Sequence, residues 1–130
     1  MKYHKDGTPP AKNEIFVFGS NLAGIHGAGA ARAAMDNYGA LYGVGVGFYG
    51  QTYAIPTKDF KIETLPIHII AHHIEIFRYL TNALPNVKFK VTRVGCGLAG
   101  YKDEHIAPMF RGCSDNCSFA EEWKPYLEYE

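Results

Sequence analysis

The chain has 130 residues, and 47% of them are apolar, which suits one packed domain and excludes a disordered chain. Thirteen basic residues balance thirteen acidic ones, so no broad electrostatic grip on nucleic acid is expected. No apolar run reaches membrane-spanning length, and Met1–Lys5 leads into Asp6-Gly7-Thr8-Pro9-Pro10 rather than a signal-peptide core, so no membrane partner is expected and the cytoplasm is the expected location.

Residues 1–13 are polar and proline-rich and read as an irregular arm or short edge element. Glu14 to Phe18 is dense in β-branched and aromatic residues and reads as a buried strand. A glycine-rich turn follows, then an alanine-rich helix over 28–38, with Gly39 as its C-terminal cap. Leu41 to Gly50 interleaves glycine with Val44, Val46, Phe48 and Tyr49 and reads as loop plus a short strand. Gly45-Val46-Gly47-Phe48-Tyr49-Gly50 has the dinucleotide-fingerprint spacing. No helix pattern follows it, so a glycine-rich hairpin or ligand-lining loop is the better reading.

Thr52 to Ile55 reads as a second strand, ended by Pro56. Residues 64–84 carry Leu65, Ile69, His72 or His73, Ile76, Leu80 and Leu84 at helical spacing, with Thr64 as N-cap and Pro66 in the first turn. Pro85-Asn86 stops that helix. Val87, Phe89, Val91 and Val94 mark a strand over 87–94, and 103–110 reads as a short helix capped by Asp103. Residues 117–120 read as a last strand, and 121–126 as a last helical turn broken by Pro125. Tyr3, Tyr126 and Tyr129 read as peripheral packing.

Strands alternating with helices predict an α/β fold: three layers, a mostly parallel mixed sheet, and one domain over 1–130. Ligands in such folds lie beyond the carboxyl ends of the strands. The turns near residues 21, 58 and 97 all follow strand ends, and this coincidence predicts one shared site.

Gly27-Ala28-Gly29 at a helix start fits an anion site, because the first-turn N–H groups lack helical partners. On spacing alone it fits close helix–strand packing equally well. His26, inside this loop, reads as a ligand contact or as an exposed loop residue. Lys58 reads as a surface lysine paired with Asp59 or, if desolvated, as a phosphate partner or nucleophile. His68 and His72 stand at i and i+4, and Cys113 and Cys117 are spaced C-x3-C. Both pairs lack further ligands at convincing spacing, so no metal and no cofactor are assigned. The cysteines read as small buried or half-buried thiols.

Taken together, Gly19-Ser20-Asn21, His26-Gly27-Ala28-Gly29-Ala30-Ala31, Ile55-Pro56-Thr57-Lys58-Asp59 and Val94-Gly95-Cys96-Gly97-Leu98-Ala99-Gly100-Tyr101 resemble the macrodomain family. The likeness is to the branch of DNA ADP-ribosyl glycohydrolase antitoxins and the animal terminal ADP-ribose glycohydrolase, over residues 14–112. It implies a macrodomain-like fold that binds ADP-ribose or an ADP-ribose-derived nucleotide. It also implies hydrolysis of the glycosidic bond to an acceptor such as ADP-ribosylated nucleic acid or protein. By this resemblance Ser20 and the residues from His26 to Ala30 contact the ligand. The Gly27–Ala31 turn and the loop Gly95, Cys96, Gly97, Leu98, Ala99, Gly100 and Tyr101 clasp the diphosphate and distal ribose. Asn21 orients that ribose, Thr57 contacts the ligand, and Lys58 is nucleophile or electrostatic partner.

The chain departs from the family at two points. The first strand and the acidic residue that grips adenine are not evident, unless Lys2–Asp6 supplies them. Ala99 stands where the animal enzyme has an acid, which the antitoxin branch also lacks. A rival reading is therefore a non-catalytic binder or sponge of a free signalling nucleotide. At 130 residues the chain is near the short end for this fold, a compactness that suits a bacterial or phage protein.

Overall fold

A computed structural model describes residues 1–128 of the chain. Six strands form one mixed sheet: β1 (Lys2–His4), β2 (Glu14–Asn21), β3 (Gly47–Tyr49), β4 (Thr52–Lys58), β5 (Lys88–Val91) and β6 (Cys117–Ala120). Their spatial order is β1-β6-β5-β2-β4-β3, and only the β3–β4 pair is antiparallel. The described helices are α1 (Gly29–Asn37), α2 (Ile67–Ala83), α3 (Asp103–Ile106) and α4 (Lys124–Leu127), with short 3-10 turns at Ala107–Phe110 and Glu121–Trp123.

The pleat of β2 explains the layers. Phe16 and Phe18 point to one face and pack with Ala31, Ala34 and Ala54 under α1. Val17 points to the other face and joins Ile55, Ile70, Ile74, Phe77, Phe89, Phe110 and Trp123 in the larger core. A strand buried on both faces needs the near-continuous apolar run that Ile15–Phe18 supplies. The result is a small α/β domain of three-layer type. The described helices are each too short or too polar to cross a membrane.

Several sequence readings change. The arm over 1–13 is not all irregular: Lys2–His4 pairs in parallel with Ser118–Ala120 as the sheet edge. Pro56 does not end its strand. It pairs with Ser20 inside β4, where β3 has already stopped at Ala54, so a missing N–H on the far side breaks no ladder bond.

Helix α2 begins at Ile67 with Pro66 as N-cap, and Thr64 instead donates to the Ala99 carbonyl at 3.0 Å. Its buried face is Ile70, Ile74, Phe77 and Thr81, one residue out of phase with the predicted stripe, while Ile76 is exposed. Because α2 is apolar through most of its first three turns, two stripes compete, and packing against β4 decides between them. Strand β5 stops at Val91, and the helix over 103–110 is a turn of α3 followed by a 3-10 turn. Asp103 is its first residue, not its cap, because Arg93 and Trp123 occupy the carboxylate. Pro125 opens α4 instead of breaking it. Tyr3 and Tyr126 pack on the core, and Tyr129 lies outside the described residues.

The 21–24 turn is pressed against the 43–45 segment. A Cβ on Gly45 would lie 1.9 Å from the Asn21 carbonyl oxygen, whereas a Cβ on Gly27 would meet nothing within 4 Å. Gly45→Ala is therefore expected to lower stability by about 3 kcal/mol, and Gly27→Ala to change it by no more than about 0.5 kcal/mol. Urea unfolding of both variants checks this contrast, and equal midpoints would contradict it.

Candidate functional site

The chain leaves β2 through α1 on one face of the sheet, while β4 returns through α2 on the other face to β5, the neighbour of β2 on its opposite side. The connections after β2 and β5 thus diverge to opposite faces and open a crevice between the strand ends. A cavity of about 760 Å³ fills it. The turns after β2, β4 and β5 all line it: Gly19–Asn21 with Gly27–Ala31, then Thr57–Lys58, then Thr92–Ala99. Asn21, Lys58 and Gly97 share this one cavity.

Close packing makes the convergence possible. A Cβ on Gly19 would lie 3.4 Å from the Gly95 nitrogen and 3.6 Å from the Thr57 side chain. Between Ser20 and Asn21 the β2–β4 register slips, so that Ser20 opposes Pro56 and Asn21 opposes Lys58. Thr57 is the extra residue. The buried Thr57 hydroxyl donates to the Ser20 carbonyl at 3.1 Å, and the bulge brings Lys58 to the strand end.

Helix α1 starts with Ala28 as N-cap and has neither a side-chain cap nor an acidic residue in its first turn. The first N–H donating back within the helix is that of Arg32, to Ala28. The N–H groups of the preceding turn therefore lack helical partners beside the cavity, an arrangement that favours an anion. Lys58 is half-buried and, among the described residues, forms no ion pair. Asp59 is not its partner: that carboxylate accepts the N–H groups of Lys61 and Glu63 at 2.8 and 3.0 Å.

Some candidate residues serve the scaffold. Asn21 lines the cavity, but its amide brackets the backbone of Ile25, donating to the carbonyl at 2.8 Å and accepting the N–H at 2.9 Å. Ser20 donates to the Gly45 carbonyl. His26 is neither exposed nor on the cavity wall. It is 1% exposed, and its Nε2 donates to the Leu41 and Val44 carbonyls at 3.0 and 3.1 Å, tying the glycine loop to the segment before β3. Gly100 and Tyr101 also lie off the wall; the Tyr101 hydroxyl donates to the Leu65 carbonyl at 2.8 Å. The Gly45–Gly50 segment forms the β3 hairpin away from the cavity.

The sequence reading named Lys2–Asp6 only as a possible source of the first strand and an acidic residue, and it did not assign the rest of the far end of the cavity. His4, Asp6 and Gly7–Pro9 line it, so the N-terminal arm does carry an acidic residue to the site. Arg93 links Asp6 to the β5 turn. It makes a two-pronged pair with Asp103, Nε to Oδ1 at 3.0 Å and Nη2 to Oδ2 at 2.5 Å, and its Nη1 lies 3.4 Å from both Asp6 and Glu122. An arginine two residues past an alternating strand was the available signal. Burial, then the neighbouring Asp103 carboxylate, push the Cys96 thiol up to about 12, so it stays protonated at neutral pH. Burial works to raise the Asp103 pKa, but hydrogen bonds from Arg93, Trp123 and Cys96, with the Arg93 charge, hold it below the ordinary carboxylate value.

A scan against protein-family models and searches of curated proteins and of solved structures find no match to the chain.

The lowered Asp103 pKa has a definite pH signature. A carboxylate ionised more readily in the folded state stabilises that state fully above its unfolded pKa, near 3.8, and the stability is lost as pH falls through the lower folded value. Asp103→Asn is expected to be less stable at neutral pH and to lose less on acidification below about pH 4. Thermal melts of both proteins across pH 2–7 check this, and an acid limb of equal depth in the variant would contradict it.

Proposed function

We propose that the crevice between β2 and β5 binds ADP-ribose or a nucleotide containing it, on a macrodomain-like version of the three-layer fold. We further propose that the protein cleaves the bond between ADP-ribose and an acceptor. The observation that carries the reading is the meeting of three strand-end turns on one cavity that holds an uncapped helix start and a lysine without an ionic partner among the described residues. The volume suits a ligand of nucleotide size. The Gly29–Ala31 amides and those of Gly95 and Gly97 would take the diphosphate, the Cys96 N–H being donated to the Arg93 carbonyl at 3.1 Å. Preformed donors of this kind need little rearrangement as charge develops.

Lys58 stands at the end where the distal ribose would lie. As the free amine, its nitrogen would bond to the anomeric carbon as the bond from that carbon to the acceptor breaks and the acceptor takes up a proton. Water would then release ADP-ribose and restore the amine.

A second reading, a binder without chemistry, is favoured by the poverty of acids. Asp6 is the one carboxylate on the cavity wall among the described residues, and it is shared with Arg93. Position 99 is alanine, and the Asn21 amide is already engaged.

Calorimetry with ADP-ribose, alongside an assay for ADP-ribose released from modified DNA or protein, separates the two readings. Under the first, Lys58→Ala lowers release by roughly 100-fold or more while ADP-ribose still binds. Gly27→Leu, whose added side chain enters open space, weakens binding by roughly tenfold or more without loss of fold. Tight binding with no release supports the second reading, and no heat at millimolar ADP-ribose contradicts both.

A further inference from the structure

Residues 59–63 form a tight hairpin between Lys58 and Thr64, which are themselves bridged. The Asp59 carboxylate holds it from inside, and two backbone bonds, Asp59 N–H to Glu63 and Ile62 N–H to Asp59, close it at 2.8 and 3.1 Å. At its turn Ile62 has φ +64, the one non-glycine residue with positive φ among those described. A β-branched side chain is among the least suited to that conformation. Ile62 does not gain a core position in exchange, since it is 40% exposed, yet it lines the cavity.

Leu98, 72% exposed, lines the same cavity from the β5 turn. The two loops are fastened together by Thr64 donating to Ala99 and Tyr101 donating to Leu65. Two exposed aliphatic side chains thus stand on hydrogen-bonded turns beside Lys58.

We infer that Ile62, with Leu98, is a specificity-determining residue that forms an apolar wall for the group attached to the anomeric carbon, and that the site prefers an uncharged, flat substituent there. The inference rests on the ADP-ribose reading and refines it. The strained backbone is maintained because it aims a branched aliphatic side chain into the cavity, where asparagine or glycine would suit the turn better. A charged substituent, cationic or carboxylate, would lose hydration against two aliphatic side chains.

NADH is the probe, because it is ADP-ribose with an uncharged ring on the anomeric carbon. Wild-type protein is expected to bind NADH about tenfold more tightly than ADP-ribose, from the added apolar contact. Ile62→Asn is expected to melt at or above the wild-type temperature, to keep its ADP-ribose affinity within about twofold, and to lose the NADH advantage. A melting temperature several degrees below wild type would show that Ile62 serves the fold, and an NADH preference that survives would show that it does not touch the substituent. Equal wild-type affinity for the two nucleotides removes this inference alone, whereas binding of neither removes the ADP-ribose reading with it.

Discussion

The site depends on the near-contact of three strand ends at Gly19. A methyl group there would stand in van der Waals contact with the Gly95 backbone and the Thr57 side chain together, so the three segments leave no free space between them. From that junction the turns after β2 and β5 part to opposite faces of the sheet. Their parting forms the crevice, and the bulge at Thr57 sets Lys58 at its end. The cavity is a consequence of how the sheet is connected, and its polar lining follows from which backbone groups strand and helix ends leave unpaired.

Around that junction the side chains divide between scaffold and site. Asn21, Ser20 and the Nε2 of His26 are spent on the backbone of the glycine loops. Arg93 spends its own on three carboxylates, fixing the arm, the β5 turn and the C-terminal 3-10 turn to one another. Asp103, accepting also from Trp123 at 2.7 Å, anchors that network to the core. What remains uncommitted at the cavity is mostly backbone N–H, the Lys58 amine and the aliphatic side chains of Ile62 and Leu98. That inventory matches an anionic ligand with an apolar end better than it matches acid–base chemistry by paired carboxylates.

Much of this was legible in the sequence where local pattern and global packing agree. Glu14–Phe18 reads as a buried strand and folds as the first part of β2, and Gly39 follows the end of α1 as expected, with φ +84. The placement of three turns after strands, two of them rich in glycine, was enough to predict their meeting. Legibility failed where tertiary context chooses between local options. The α2 stripe had two phases of similar quality, and Pro56 was tolerable only because β3 ends early. His26 is a polar residue in a glycine loop by sequence, and only the carbonyls of Leu41 and Val44 make it a buried tie. Nothing local distinguishes Ile62 from any other hairpin isoleucine, because its strain is imposed by the turn that Asp59 holds.

The central claim is that the backbone amides of the β2 and β5 turns hold a diphosphate. The most direct measurement is a titration of isotopically labelled protein with ADP-ribose, followed by amide proton and nitrogen shifts. The account predicts saturable shifts concentrated at Gly29, Ala30, Ala31 and Gly95–Gly97, with the N-terminal ends of the strands unmoved. Shifts confined to other surfaces, or none at millimolar ligand, would contradict it.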